Sequence, residues 1–197
     1  MSRYKADLTA GSLKLPESRI IADLLLRELS ANDWQEAIER RNVLRTKQVA
    51  TAQRLTRLIR GRLETMGPEL WKIVRDGAGT VASHAVLAAA VKHSPLLGDF
   101  LAQVVAAQYR LFSPTLPTGI FSHWLEECRE RDALMPLWNE STLRRLRSTV
   151  FQVLAQAGYI DSTRTRRLQT VHIAEQVLRY LKNHKEDYVL HCIQVSP

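Results

Sequence analysis

Basic side chains dominate the chemistry open to this chain, and they fall in two blocks. From Arg40 to Arg62 there are eight basic residues and no acid: Arg40, Arg41, Arg45, Lys47, Arg54, Arg57, Arg60 and Arg62. From Arg144 to Arg167 six arginines (Arg144, Arg145, Arg147, Arg164, Arg166, Arg167) stand against one acid, Asp161. Residues 40–64 hold 8 basic and 1 acidic group, net +7, and residues 141–197 hold 9 and 4, net +5. The segments 1–39 and 65–140 are each net −2. A guanidinium does not trade protons at neutral pH; it recognises phosphate and carboxylate by charge and forked hydrogen bonds. Two such blocks in a slightly acidic body are two electrostatic footprints for a polyanion.

Residues suited to catalysis are sparse. No P-loop, GxGxxG, HExxH or CxxC pattern occurs. His123 and Glu127 are spaced as neighbours on one helix face, beside Glu126 and Cys128, but a metal site needs more than two ligands from one helix. His191 and Cys192 adjoin in sequence, so on a strand they would point to opposite faces. His84 and His93 lie on or at the end of an apolar helix and read as packing or capping groups. Trp34, Trp71, Trp124 and Trp138 read as core anchors. The expectation is no catalytic residue, no metal and no cofactor. Few aromatics interleave the basic blocks, which argues against single-strand binding by base stacking.

The elements that must carry these side chains are helical almost throughout. Pro16-Glu17-Ser18 opens a helix whose stripe is Ile20, Ile21, Leu24, Leu25 and Leu29. Asn32 or Asp33 can cap a short helix over 34–41, ended by Asn42. Thr46 can cap a long helix to about residue 65, stopped by Gly67-Pro68. Further helices are expected at 68–75, 80–93, 95–109, 120–132, 141–157 and 172–184. The segment 113–119, Ser-Pro-Thr-Leu-Pro-Thr-Gly, has linker chemistry. It divides the chain into an N-terminal helical domain, 1–113, and a C-terminal winged-helix-like domain, 119–197. The tail at 188–195 reads as either helix or strand.

A short helix, a turn and a longer helix is the layout of a helix-turn-helix, whose second helix enters the DNA major groove. Residues 34–65 fit it. On the second helix Leu55, Leu58, Ile59, Leu63 and Met66 gather on one side. Ala50, Gln53, Arg57 and Arg60 lie on the other, with Lys47 and Arg54 at its edge. Arg62 falls near the apolar side and is not counted as a reader. The second unit spans about 120–173. Ser141 caps its long helix; Leu143, Leu146, Val150 and Leu154 form the inner stripe; Arg145, Ser148 and Gln152 point outward, with Arg144 beside them. Residues 159–173 can form a short β-hairpin wing carrying Arg164, Arg166 and Arg167. Arg147 lies nearer the stripe, where its stem can cover the core. The candidate DNA-contacting set is therefore Lys47, Gln53, Arg54, Arg57, Arg60, Arg144, Arg145, Ser148, Arg164, Arg166 and Arg167. An arginine-rich amphipathic helix is by default a solvated face. The acid-free run of the first block argues otherwise, because solvated faces mix both signs.

At 197 residues and net charge +8 the chain can bury a full core and favours an anionic partner. Two cysteines suit a reducing compartment. The longest apolar runs, Leu24–Leu26 and Ala85–Val91, fall far short of the about 20 residues a membrane span needs. An intracellular, soluble, cytoplasmic protein is expected, with no membrane partner. A monomer suffices, since one chain supplies two units.

Several spaced motifs then identify a family. "YKADLTAGSLKLPESRIIADLLL", the Trp34, Ala37-Ile38, Asn42, Leu44 pattern, "TAQRLTRLIRGRL", "WKIVRDG", "VLAAAVKHSPLLGDFL", "STLRRLRSTVFQVLAQAGYI" and "YVLHCIQV" occur in order from Tyr4 to Val195. Together they resemble the BrxA family, the A component of the BREX (bacteriophage exclusion) phage-defence systems. The resemblance implies a small, mainly all-α, non-enzymatic component with basic helix-turn-helix units that bind double-stranded DNA. It also implies a methyltransferase, an ATPase and a phosphatase-like protein as operon companions that carry the chemistry. The same charge would equally serve RNA binding or a scaffold that docks acidic surfaces of those proteins.

Overall fold

The computed structural model describes residues 3–196, and every regular element among them is helical. The order is a 3-10 turn (Asp7–Ala10), α1 (Leu15–Leu26), α2 (Ala31–Gln35), α3 (Val49–Leu63), α4 (Pro68–Asp76), α5 (Gly79–His93), α6 (Pro95–Asp99), α7 (Ala106–Arg110), α8 (Ile120–Arg131), α9 (Glu140–Gln156), α10 (Glu175–Asn183) and α11 (Asp187–Ile193). Two π-helical stretches interrupt this order. Glu36–Arg40 prolongs α2, and Phe100–Val105 joins α6 to α7.

Helix α5 is the axis of the fold because its sequence leaves it no polar face. Ala82 and every residue from His84 to Val91 are buried, as expected of a helix that is apolar all round. It packs against α1, α3 and α4 on one side of the chain and α10 and α11 on the other. At Ser94 the chain bends by 110° into the α6–α7 rod. Among the described residues no single helix is long and apolar enough to cross a membrane. The 113–119 linker joins two groups of helices that share one hydrophobic cluster, from Leu8, Ile21 and Leu63 to Leu146, Tyr159 and Val177. Trp34 and Trp124 are buried in it, while Trp71 and Trp138 pack half-buried at its edge.

Several local expectations need correction. Ser30, not Asn32 or Asp33, caps α2: its Oγ accepts from the Asp33 N–H at 3.2 Å. The longer cap motif wins because it also gives the Ser30 hydroxyl a bond to the Asp33 carboxylate, at 2.7 Å. Likewise Asn139, not Ser141, caps α9, its Oδ1 accepting from the Thr142 N–H at 2.8 Å. Thr46 does not start α3. The Asn42 side chain holds Thr46 through its N–H (3.0 Å) and C=O (2.8 Å), so the chain turns three residues longer before Val49. The tail takes the helical option, as α11.

The expected β-hairpin wing does not form. Residues 159–173 make only isolated antiparallel bridges, Ile160 with Leu168 and Thr115 with Arg167. The reason is local. The Asp161 carboxylate accepts from the Ser162 N–H (2.6 Å), the Thr165 hydroxyl (2.7 Å) and the Arg167 N–H (2.9 Å). The Arg166 N–H bonds the Ser162 carbonyl at 3.0 Å, with Arg166 itself left-handed at φ 52°. Side-chain capping of this kind competes for the groups a strand ladder would use. The turn is instead held against the linker: the Leu116 N–H bonds the Arg166 carbonyl (2.9 Å), and the Leu168 N–H bonds the Pro114 carbonyl (3.0 Å).

Candidate nucleic-acid interface

The first basic unit is α2 with its π turn, the connection 41–48, and α3. Helix α3 buries Ala52, Leu55, Leu58, Ile59 and Leu63, which leaves Gln53, Arg54 and Arg57 exposed on the other side. Lys47 is exposed too, but it lies in the connection before α3 rather than on the helix. Among the described residues no carboxylate lies within ion-pair distance of Lys47, Arg54 or Arg57. The other candidates of this unit are partly engaged. Gln53 donates to Glu39 Oε1 at 2.8 Å. Arg60 bonds Glu64 at 2.6 Å and lies 4.6 Å over the Trp34 ring. Hydrogen bonds from Gln35 and Gln53 hold the Glu39 carboxyl below the usual carboxylate range, so it is ionised at neutral pH. Trp34, Ile38, Glu39, Gln53, Arg57 and Arg60 line a shallow groove between the two helices.

Arg62 belongs to the same block and does something else. It is 2% exposed. Its Nη1 and Nη2 donate to the carbonyls of Ser12 (2.6 Å) and Gly11 (2.8 Å). Burial pushes its pKa down to about 10, and the nearby Asp7 carboxylate opposes that. The segment it grips also touches α9. The Asp7–Ala10 turn packs on both α3 and α9, and the Leu13 N–H bonds Gln156 Oε1 at 3.0 Å.

The second unit is α9 with the 161–167 turn. Arg145 and Ser148 are exposed on α9, and Arg164 and Arg167 on the turn. Arg144 is exposed but bonds Glu140 at 2.7 Å, one helical turn back. Arg166 folds inward. Its Nη2 donates to Thr118 Oγ1 at 2.9 Å, and its guanidinium lies 5.9 Å over the Phe151 ring. Arg166 and Thr163 of the turn, and Arg147, Ser148 and Gln152 of α9, line a cleft of about 300 Å³, with Thr118 at its edge. Sequence reasoning set Arg147 aside because its position is near the apolar stripe, and it is indeed half-buried. It shares the cleft with the 161–167 turn, for which the period of α9 carries no signal.

The groups first weighed for catalysis lie elsewhere. His123 Nε2 is 3.2 Å from Glu127, whose other oxygen binds Arg131 at 3.0 Å. Among the described residues no three His, Cys, Asp or Glu side chains gather closely enough to hold a metal. His191 is exposed and Cys192 buried on α11, and Cys128 is buried on α8. His84 is buried with its Nδ1 accepting the Ala174 N–H at 3.1 Å, which ties the start of α10 to α5.

Comparison with known proteins places the chain among relatives of the same size. A family model described as BrxA matches residues 2–185. A protein named BREX protein BrxA from Paramagnetospirillum magneticum is 54% identical over 194 residues, covering 98% of each chain. The BREX protein BrxA of Escherichia coli is 31% identical over 176 residues, 89% of this chain and 83% of that one. A crystal structure of an uncharacterized protein from Magnetospirillum magneticum superposes with a TM-score of 0.92 at 52% identity, over 99% of this chain and 100% of that one.

Proposed function

This chain belongs to the BrxA family, and we propose that it serves its BREX phage-defence system by binding double-stranded DNA through both basic units. The observation that carries this reading is the set of exposed cations on α3 and its approach, Lys47, Arg54 and Arg57, that lack an acid within ion-pair distance among the described residues. Solvated helix faces neutralise themselves with neighbouring acids, as Arg40 does with Glu36 and Arg131 with Glu127. Cations left unpaired are available to phosphates. The role is binding rather than catalysis, because the side chains concentrated in both units are arginines, which neither give nor take protons at neutral pH. The chain acts in the cytoplasm as a monomer, with other BREX proteins as its protein partners.

Fluorescence anisotropy with a labelled duplex across a salt series tests the reading. For ~6 phosphate contacts the logarithmic salt slope is about −5. The double variant Arg54→Ala/Arg57→Ala makes the slope shallower by about 2 while leaving the fold intact. A wild-type slope near zero would reject DNA binding. Stronger competition by structured RNA than by duplex DNA at equal salt would shift the reading to RNA.

A further inference from the structure

We infer that the cleft between α9 and the 161–167 turn seats a single phosphate of the DNA backbone; this rests on the DNA-binding reading. The lining carries two guanidiniums (Arg147 and Arg166), three hydroxyls (Thr118, Ser148 and Thr163) and one amide (Gln152), and no carboxylate. That is the donor set a tetrahedral oxyanion requires: a cationic fork for two oxygens and neutral O–H or N–H groups for the rest. The one acid of the turn, Asp161, is committed to the turn's own N–H and O–H groups. No carboxylate lies within ion-pair distance of Arg147 or Arg166 among the described residues.

Arg166 is placed before any ligand arrives. Its backbone is fixed by the turn, one Nη is on Thr118, and its guanidinium lies over Phe151. Its Nε is buried without a hydrogen-bond partner. The residue as a whole is half-buried, so the unmet donor is the Nε alone, and a buried donor left unmet is costly. Arg147 lines the same cleft from α9 and is itself half-buried. Ordering these side chains on binding therefore costs less than ordering a free surface arginine. The groove of the first unit differs, since it includes the Glu39 carboxylate.

The test uses the full chain, a labelled duplex and inorganic phosphate as separate probes. Arg147 is varied rather than Arg166, whose contacts hold the turn. Arg147→Ala should make the salt slope for duplex shallower by about 1. Arg147→Lys, which keeps the charge, should retain the wild-type slope, and equal thermal midpoints for all three proteins exclude misfolding. In amide NMR at constant ionic strength, inorganic phosphate should shift Ser148, Gln152 and Thr163 saturably in the wild type and not in Arg147→Ala. A steep wild-type slope left unchanged by Arg147→Ala overturns the seat and leaves DNA binding standing. A flat slope in every protein overturns both. Saturable phosphate shifts with an unchanged duplex slope make the cleft a site for a free anion and overturn the backbone-phosphate assignment.

Discussion

On α3 the exposed cations Arg54 and Arg57 stand along an acid-free helix face with Glu39 and Glu64 at its margins, whereas beside α9 two arginines line a cleft that includes no carboxylate. Glu39 takes Gln53 and Glu64 takes Arg60 in the first unit. In the second the only acid of the turn, Asp161, is used up in shaping it. The two blocks look alike as charge counts, but their counter-acids sit differently. An exposed row of cations raises encounter rate and non-specific affinity, and it weakens steeply with salt. A concave seat with fixed donors sets register on the duplex. On the proposed DNA-binding reading the first unit is the better attractor and the second the better positioner.

The comparison is sharpest within the first block itself, where Arg62 and Arg57 are neighbours in sequence and opposites in role. Arg62→Ala leaves the buried carbonyl of Ser12 and the part-buried carbonyl of Gly11 without their donor. An unmet buried acceptor costs about 1–3 kcal/mol each, so a loss of about 2–4 kcal/mol in urea unfolding is expected. Arg57→Ala should change stability by less than about 0.5 kcal/mol, as exposed substitutions do. Equal losses from the two variants would break the distinction between a scaffold arginine and a binding one. The segment Arg62 grips lies against both α3 and α9, so this loss strikes the element between the two units.

A smaller effect comes from the tie that anchors α10 to α5. Burial holds His84 below the ordinary histidine value, and the same is true of His93. Their unfolded value is about 6.5. As pH falls below it, the unfolded chain takes up protons that the folded chain refuses, so stability drops. Thermal midpoints should therefore fall between about pH 7 and pH 5.5, and less so in His84→Gln, whose amide oxygen can still accept the Ala174 N–H. Asp7, whose carboxyl burial raises, pulls the other way at lower pH. A midpoint that rises on acidification across that window would refute the assignment.

Periodicity made the long helices legible. The stripes of α1, α3 and α9 and the all-apolar run of α5 predict those elements within a few residues, because a helix that buries one face must repeat its apolar residues at the helical period. The same reasoning placed Arg62 on the apolar side, where it lies. Choices between local rivals were not legible. Ser30 against Asn32, or Asn139 against Ser141, differ by one hydrogen-bond geometry that residue type alone does not rank. The π stretches at Glu36–Arg40 and Phe100–Val105 leave no compositional mark. Relations between distant segments were invisible as well: Arg62 on Gly11 and Ser12, and the cleft that Arg147 shares with the 161–167 turn. That is why the cleft escaped a reading that found both basic blocks.

Glu39 offers the most direct way to make the first unit resemble the second. Its carboxylate accepts from Gln53 on the exposed side of α3, in the groove that also includes Arg57 and Arg60. Because hydrogen bonds hold it ionised, it presents a full negative charge in the same groove as Arg57 and Arg60. Glu39→Gln removes that charge and keeps an oxygen for Gln53, so the local geometry is retained. Duplex affinity should rise about two- to five-fold at low salt, and the gain should shrink as the Debye length falls towards ~8 Å at physiological ionic strength. Glu140→Gln, which frees Arg144 on the second unit, should act with the same sign. Anisotropy titrations of both variants at two salt concentrations measure the effect. If neither gains affinity, the placement of acids is not what separates the two units, and the difference between them reduces to shape: a helix face against a cleft.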